Sequence, residues 1–174
     1  IFDSLSENGS AALARGHLRA LRRAVDVFGF HLASLDLRQN ADVHERVVAE
    51  LVDAAGLGDY RAIDESARVA LLLRELDNMR PLSSPHLSYG EETANELAML
   101  NVAADAHRRY GREAMPNYVI SKADSVSDIL EVAVLLKEVG LLRPREGKLD
   151  VDIVPLFETI GDLQRCGHIM DELF

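Results

Sequence analysis

The chain has 174 residues, of which 48% are hydrophobic and 28% are charged, a composition typical of a globular protein. Its formal net charge of −10 disfavours non-specific binding to nucleic acids or anionic membrane surfaces. The apolar runs are too short to span a bilayer, no signal peptide is visible, and the single cysteine, Cys166, excludes an internal disulfide. We therefore expect a cytoplasmic protein. Because it begins at Ile1 and ends at Phe174 within an apolar pattern, we also expect an excerpt of a longer chain.

The first two thirds of the chain predict helices, with one strand among them. Apolar residues at helical spacing over 11–25 predict a helix, and alternating apolar residues over 28–37 then predict a strand with an irregularity near Ser34. Helical spacing returns over 42–55, 65–79 and 91–110. The segment 80–85 contains two prolines and two serines, which indicates a loop between the last two helices.

The last third of the chain alternates between strands and helices. Short apolar strands are predicted over 117–121 and 151–157, and helices over 126–139 and around 163–173. This alternation favours a parallel sheet or barrel. We therefore predict a mostly α-helical fold with parallel strands, as part of an α/β (TIM-like) barrel that three strands leave incomplete. Residues 1–174 are expected to form a fragment of one barrel domain without an internal boundary.

The predicted helix 126–139 is apolar around almost its whole circumference. Only Ser127, Glu131 and Glu138 form a narrow polar stripe. A helix of this kind is covered by protein on more than one side. We expect it to lie at the centre of the core.

Two charged residues stand at the ends of predicted strands. Arg38 ends the first strand and Glu158 ends the third. In parallel α/β barrels, reactive groups gather at the carboxyl ends of strands, where a guanidinium can hold a phosphate and a carboxylate can hold Mg²⁺. An ordinary ion pair at the strand ends is the alternative interpretation. Lys122 follows the second strand and could approach the same edge, and His44 is more typical of a capping or bracing residue than of a catalytic one.

Four segments in order along the chain resemble the phosphoenolpyruvate carboxylase family. Residues 28–39 read FGFHLASLDLRQ and are followed by His44; Arg80-Pro81-Leu82 precedes an acidic helix start at 91–93; residues 118–121 and 127–132 read YVIS and SDILEV; residues 154–160 read VPLFETI. The chain is similar to this family across essentially its whole length. It departs from the family pattern at Asn40-Ala41 and at Lys122, where methionine is usual.

This resemblance implies an enzyme that carboxylates phosphoenolpyruvate with bicarbonate, giving oxaloacetate and phosphate. It implies a homotetramer built on eight-stranded barrels, with Mg²⁺ or Mn²⁺ as the cofactor. Arg38 matches the family's phosphate-binding arginine, and Glu158 matches one of its two metal-binding carboxylates. The family's other essential residues, among them a catalytic histidine, match no position in this chain, so residues 1–174 alone are expected to be inactive.

Two alternative functions are also compatible with the sequence. One is another Mg²⁺-dependent barrel enzyme acting on a phosphorylated enol. The other is a non-catalytic helical interaction module, which predicts no effect of metal or substrate on stability. If Arg38 and Glu158 share a site, the structure must bring both to the same end of the sheet.

Overall fold

The computed structural model describes residues 1–31 and 33–174, which fall into two compact units, 1–34 and 35–174. Most of the described residues are helical, and a small parallel sheet of three strands lies in the second unit. The prediction of a mostly α-helical fold with parallel strands is confirmed. None of the described helices is long and apolar enough to cross a membrane.

The first unit contains two helices, α1 (Phe2–Glu7) and α2 (His17–Phe28), with a 3₁₀ turn at Leu13–Arg15 between them. The predicted helix 11–25 therefore starts later, because the backbone of Gly16 (φ −88°, ψ −127°) is not helical. The predicted strand 28–37 is wrong over most of its length: Phe28 ends α2, and a strand begins only at Leu37. Leu32, within that prediction, lies outside the described residues.

The described part of the second unit carries ten further helices and strands. They are β1 (Leu37–Asn40), α3 (Ala41–Ala54), α4 (Glu65–Asp77), α5 (Glu91–Tyr110), β2 (Asn117–Ser121), α6 (Val126–Glu138), β3 (Leu142–Arg143), β4 (Lys148–Leu149), β5 (Asp152–Pro155) and α7 (Ile160–Leu173), with 3₁₀ turns at Tyr60–Ala62, Arg112–Ala114 and Pro144–Glu146. From α3 to α6, every predicted element ends within two residues of the observed one. The antiparallel pair β3–β4 was not predicted.

The parallel sheet has the order β1-β2-β5. Leu37 pairs with Tyr118, and Tyr118 in turn pairs with Ile153. The third strand is shorter than predicted, although the Leu156 amide still donates to the Ile120 carbonyl at 2.8 Å. Each strand leads within a few residues into a helix, which is the connection expected for parallel strands.

Helix α6 is the centre of the core. It contacts α3, α4, α5 and α7 and is buried at ten of its positions. Its start is fixed by a capping box in which Ser125 and Asp128 satisfy each other's backbone amides. The prediction that it is covered on more than one side is confirmed, and even the polar stripe is largely covered, since Ser127 and Glu131 are buried.

The loop after α4 is held by the last turn of α6. The Lys137 ammonium donates to the carbonyls of Glu75, Asn78 and Arg80, and the Glu138 carboxylate accepts from the amides of Leu82 and Ser83. The Arg80 guanidinium lies 3.1 Å from the buried carboxylate of Glu75. The Arg-Pro-Leu segment therefore has a structural explanation in the packing of this loop.

Candidate functional site

The candidate site lies where the three parallel strands end. In the register of the sheet, Asn40 lies beside Ser121, and Ile120 lies beside Pro155. Parallel strands bring their carboxyl ends to one edge, so the residues on and after these strand ends are brought together. Arg38, Ser121 and Glu158 meet at this edge.

Arg38 is the second residue of β1, and its side chain reaches across to β2. Its Nε donates to the Ser121 hydroxyl at 2.9 Å. The side chain is 64% exposed, and no hydrogen bond from the described part of the chain engages either of its Nη atoms. The guanidinium is thus fixed at one nitrogen and keeps its outer edge available for an anion.

Glu158 lies in the short loop between β5 and α7, next to Thr159, the N-cap residue of α7. Its Oε1 lies 4.0 Å from Nη2 of Arg38, which is the outer limit of an ion pair and too long for a hydrogen bond. The expected proximity of the two residues is confirmed. The loose contact leaves both side chains free to bind ligands of opposite charge, and their roles stay predictions.

Ser121 was not assigned a role from the sequence. A serine that ends a strand next to a strand-end arginine is the only sequence signal for it. The hydroxyl is buried and lies on the strand neighbouring Arg38, so it restricts the guanidinium without adding charge. Ser121 is a positioning residue for Arg38.

Lys122 directly follows β2 and has a left-handed backbone with φ 58°, the only positive φ of a non-glycine residue in the described segments. This conformation is unfavourable for lysine by about 1 kcal/mol or more. The side chain is exposed, and its positive charge helps to lower the pKa of Asp42 at the start of α3, after the larger effect of Arg46. Lys122 therefore adds a cation near the same edge of the sheet.

His44 has a structural role. Its ring is buried on α3, and Nε2 is hydrogen-bonded to the Tyr118 hydroxyl of β2 at 2.9 Å. Burial lowers the pKa of His44 to about 4, so the ring is neutral at pH 7. The bracing interpretation of His44 agrees with this position.

A complete metal site is not found within the described residues, since no group of three or more histidine, cysteine, aspartate or glutamate side chains could hold a metal ion. Glu158 offers a single open carboxylate. Mg²⁺ commonly takes only one or two protein carboxylates and fills its other positions with water or substrate oxygens. Glu158 therefore fits the role of one ligand in a set that other groups complete.

The structure also contains a buried polar pair that sequence reasoning did not find. The Tyr60 hydroxyl donates to Oε1 of Glu131 at 2.8 Å, while Oε2 of Glu131 is buried and has no hydrogen-bond partner among the described residues. Burial raises the pKa of Glu131 to about 8. The sequence signal was present, because Glu131 lies on an otherwise apolar helix, but its partner is 71 positions away.

Comparison with known proteins shows which family the chain resembles. A family model described as phosphoenolpyruvate carboxylase matches residues 1–174. Among curated proteins, the chain is 64% identical over 175 residues to a phosphoenolpyruvate carboxylase of Aromatoleum aromaticum, which covers 100% of the chain. It is 61% identical to one of Azorhizobium caulinodans and 63% identical to one of an Azoarcus species, over 99% and 98% of the chain. The chain spans 19% of the length of each of these three relatives.

Proposed function

The chain belongs to the phosphoenolpyruvate carboxylase family, and we propose that the protein of which it forms a part joins bicarbonate to phosphoenolpyruvate, releasing oxaloacetate and phosphate. The observation that carries this proposal is the pairing of an open guanidinium and an open carboxylate, Arg38 and Glu158, 4.0 Å apart at the carboxyl edge of a parallel sheet. The phosphate of the substrate needs a cation such as the Arg38 guanidinium. The enolate oxygen that forms needs a divalent cation, which the Glu158 carboxylate would hold.

In this proposal, Arg38 binds the phosphate of phosphoenolpyruvate. Its two Nη atoms present parallel N–H donors that match two phosphate oxygens, whereas Nε stays on Ser121. A fixed cation at this position stabilises the charge that develops while bicarbonate oxygen attacks phosphorus and the bond to the enol oxygen breaks. The resulting carboxyphosphate releases phosphate and carbon dioxide, and the enolate carbon then bonds to carbon dioxide.

Glu158 is proposed to hold a divalent cation, Mg²⁺ or Mn²⁺. When bound, such an ion supplies Lewis-acid stabilisation of negative oxygen. The carboxylate is suited to this role because none of the described hydrogen bonds engages it and its side chain is 36% exposed. Glu158 would orient its oxygens toward the space in front of Arg38 and leave the remaining coordination positions to groups outside this segment and to substrate.

The same proposal extends to the architecture of the whole protein. Three parallel strands, each followed by a helix, are suited to form part of an eight-stranded α/β barrel whose carboxyl edge holds the site. With three of eight strands, residues 1–174 would be a fragment of that barrel domain. The family resemblance implies a homotetramer with allosteric control, and a cytoplasmic location is the expectation from the sequence.

The test is steady-state kinetics of the full-length protein. Arg38→Lys keeps the charge but loses the planar fork, so kcat/KM for phosphoenolpyruvate should fall by about tenfold or more. Arg61→Lys is the matched control, since Arg61 is an exposed arginine that pairs with Glu45 away from the sheet edge. A loss of less than about threefold would contradict the role of Arg38.

A second arm of the test addresses the cation. Glu158→Gln should raise the Mg²⁺ concentration needed for half-maximal activity, because an amide oxygen is a weaker ligand than a carboxylate for a hard cation. If the full-length protein shows neither carboxylation nor any effect of Mg²⁺ or phosphoenolpyruvate on its stability, a non-catalytic helical module is the better description. Activity on a different phosphorylated enol would favour the other barrel enzyme.

A further inference from the structure

The side chain of Glu158 is 36% exposed, and none of the described hydrogen bonds engages it. A side chain of this kind is placed by the backbone that carries it. That backbone is the loop 156–159 between β5 and α7. The direction in which Glu158 offers its carboxylate therefore depends on how the two ends of this loop are held.

The first end of the loop is attached to the junction between β2 and α6. The Ala123 amide donates to the Leu156 carbonyl at 3.1 Å, and the Leu156 amide donates to the Ile120 carbonyl at 2.8 Å. Ala123 is buried, and Phe157 packs against the hydrophobic core. The backbone is therefore fixed on the amino side of Glu158.

The second end of the loop is held by the capping box of α7. The Thr159 amide donates to Oδ2 of Asp162 at 2.9 Å, and the Asp162 amide donates to the Thr159 hydroxyl at 3.1 Å. The hydrogen bond from the Thr159 amide lowers the pKa of Asp162 below its usual value, so this buried carboxylate is charged at pH 7. Because Thr159 directly follows Glu158, the backbone is also fixed on the carboxyl side of Glu158.

Arg165 connects this second end to the loop after β2. Its Nη2 donates to Oδ1 of Asp162 at 3.2 Å and lies 3.6 Å from Oδ2 of Asp124. Asp124 is three positions after Ser121, the residue that holds the guanidinium of the candidate site. The loop after β2 therefore supports both the guanidinium and the carboxylate of that site.

We propose that Asp162 and Arg165 are positioning residues for Glu158, and that they hold its carboxylate toward the space in front of Arg38, where it would bind the divalent cation. This inference rests on the proposed function. A helix cap alone explains the contacts of Asp162 with Thr159, but it does not explain why Arg165 also reaches a second loop. Neither positioning residue needs to touch the cation or the substrate.

The sign of the charge effect separates positioning from general electrostatics. Arg165→Gln removes a positive charge from the helix that follows Glu158, which by itself would strengthen the binding of a cation. Loss of positioning would weaken that binding instead. We expect Arg165→Gln in the full-length protein to raise the dissociation constant for Mn²⁺ alone about threefold or more, measured from the electron paramagnetic resonance signal of the free ion.

Two further variants control this measurement. Arg165→Lys should bind Mn²⁺ within about twofold of the wild type, because a single nitrogen makes both contacts of Arg165 and a lysine ammonium can replace it. Arg108→Gln is the matched control, since Arg108 also pairs with an aspartate three positions before it on its own helix. It should leave the affinity unchanged. An affinity in Arg165→Gln equal to or tighter than that of the wild type would overturn the proposal.

A double variant shows whether Arg165 acts through Glu158. Glu158→Gln should raise the dissociation constant by itself, and the addition of Arg165→Gln should raise it no further. Two effects that multiply would show that Arg165 supports the fold in general and would overturn the positioning role. An unchanged affinity in Glu158→Gln would refute the proposed metal role together with this inference. An effect of Glu158→Gln without any effect of Arg165→Gln would refute this inference alone.

Discussion

The Ser121 hydroxyl accepts a hydrogen bond from Nε of Arg38 at 2.9 Å, and this contact joins two neighbouring strands at their carboxyl ends. Arg38 is more than half exposed, whereas Ser121 is buried. An exposed arginine normally samples several rotamers, which costs conformational entropy when a ligand fixes it. Ser121 reduces that cost by holding the guanidinium in one orientation before the ligand arrives.

We expect Ser121→Ala to weaken the use of phosphoenolpyruvate by the full-length protein. Loss of a hydrogen bond to a charged donor typically costs about 1.5 kcal/mol or more, so kcat/KM should fall by about tenfold. Ser127→Ala is the matched control, because the buried Ser127 bonds to Glu65 on α4 and does not contact Arg38. Equal kinetics in the Ser121 variant and the wild type would contradict the positioning role.

Glu131 should make the region around α6 less stable as the pH rises. Burial raises its pKa from 4.5 to about 8, so folding favours the protonated acid. That contribution is fully present below about pH 4.5 and is lost as the pH rises through about 8, because the unfolded carboxyl ionises first. Glu131→Gln mimics the protonated acid and should remove this slope.

Hydrogen exchange of the α6 amides, corrected for the intrinsic effect of pH, measures this slope. The free energy of local opening in the wild type should fall between pH 5 and 8 and should stay nearly constant in Glu131→Gln. Glu91→Gln, an exposed change at the start of α5, should retain the wild-type slope. A wild-type slope that survives in Glu131→Gln would mean that another group titrates.

The contribution of His44 to local stability should have the opposite pH dependence. Burial lowers its pKa from 6.5 to about 4, so folding favours the neutral ring. Its contribution is present above about pH 6.5 and is lost as the pH falls through about 4. Hydrogen exchange of α3 should therefore show easier opening below pH 6. His44→Gln, which can still accept a hydrogen bond from Tyr118, should open with little dependence on pH over this range, and an unchanged acid response would exclude His44 as its source.

The sequence predicts the helices of the second unit well because their apolar spacing persists over several turns. It fails over most of 28–37, where apolar residues alternate but, in the described part of the segment, pairing with a strand begins only at Leu37, which lies beside β2. The pair β3–β4 is two residues long on each side, too short for any period to be visible. A strand forms only where a second strand pairs with it. The residue pattern of one segment does not show whether such a partner is present.

The same limit applies to the candidate site. Arg38 and Glu158 could be predicted because charged residues at the ends of predicted strands can be recognised in the sequence itself. Their 4.0 Å separation, the contact with Ser121 and the Tyr60–Glu131 pair depend on residues more than 70 positions apart. The Arg-Pro-Leu segment is a sequence motif whose residues have structural contacts. Arg80 pairs with Glu75, and the Leu82 amide donates to Glu138, so packing alone can explain this motif.

Residues 1–174 in isolation should bind Mg²⁺ only weakly and should not form oxaloacetate. Glu158 is a single candidate metal ligand, and no group of three or more potential ligands occurs among the described residues. Within the described residues the sheet is also open, because β1 and β5 each pair on one side only. An open edge admits water, which weakens the effect of fixed charges on a developing anion.

The isolated chain should also self-associate. In the second unit, Leu73, Val102 and Ile160 are more than half exposed, and two strand edges lack partners within the described residues. Calorimetric titration with Mg²⁺, sedimentation velocity and an oxaloacetate assay on residues 1–174 are the measurements, with the full-length protein as the active reference. Turnover above background that disappears in Glu158→Gln would contradict this prediction, because it would show that Arg38, Glu158 and their neighbours suffice for catalysis without a closed barrel.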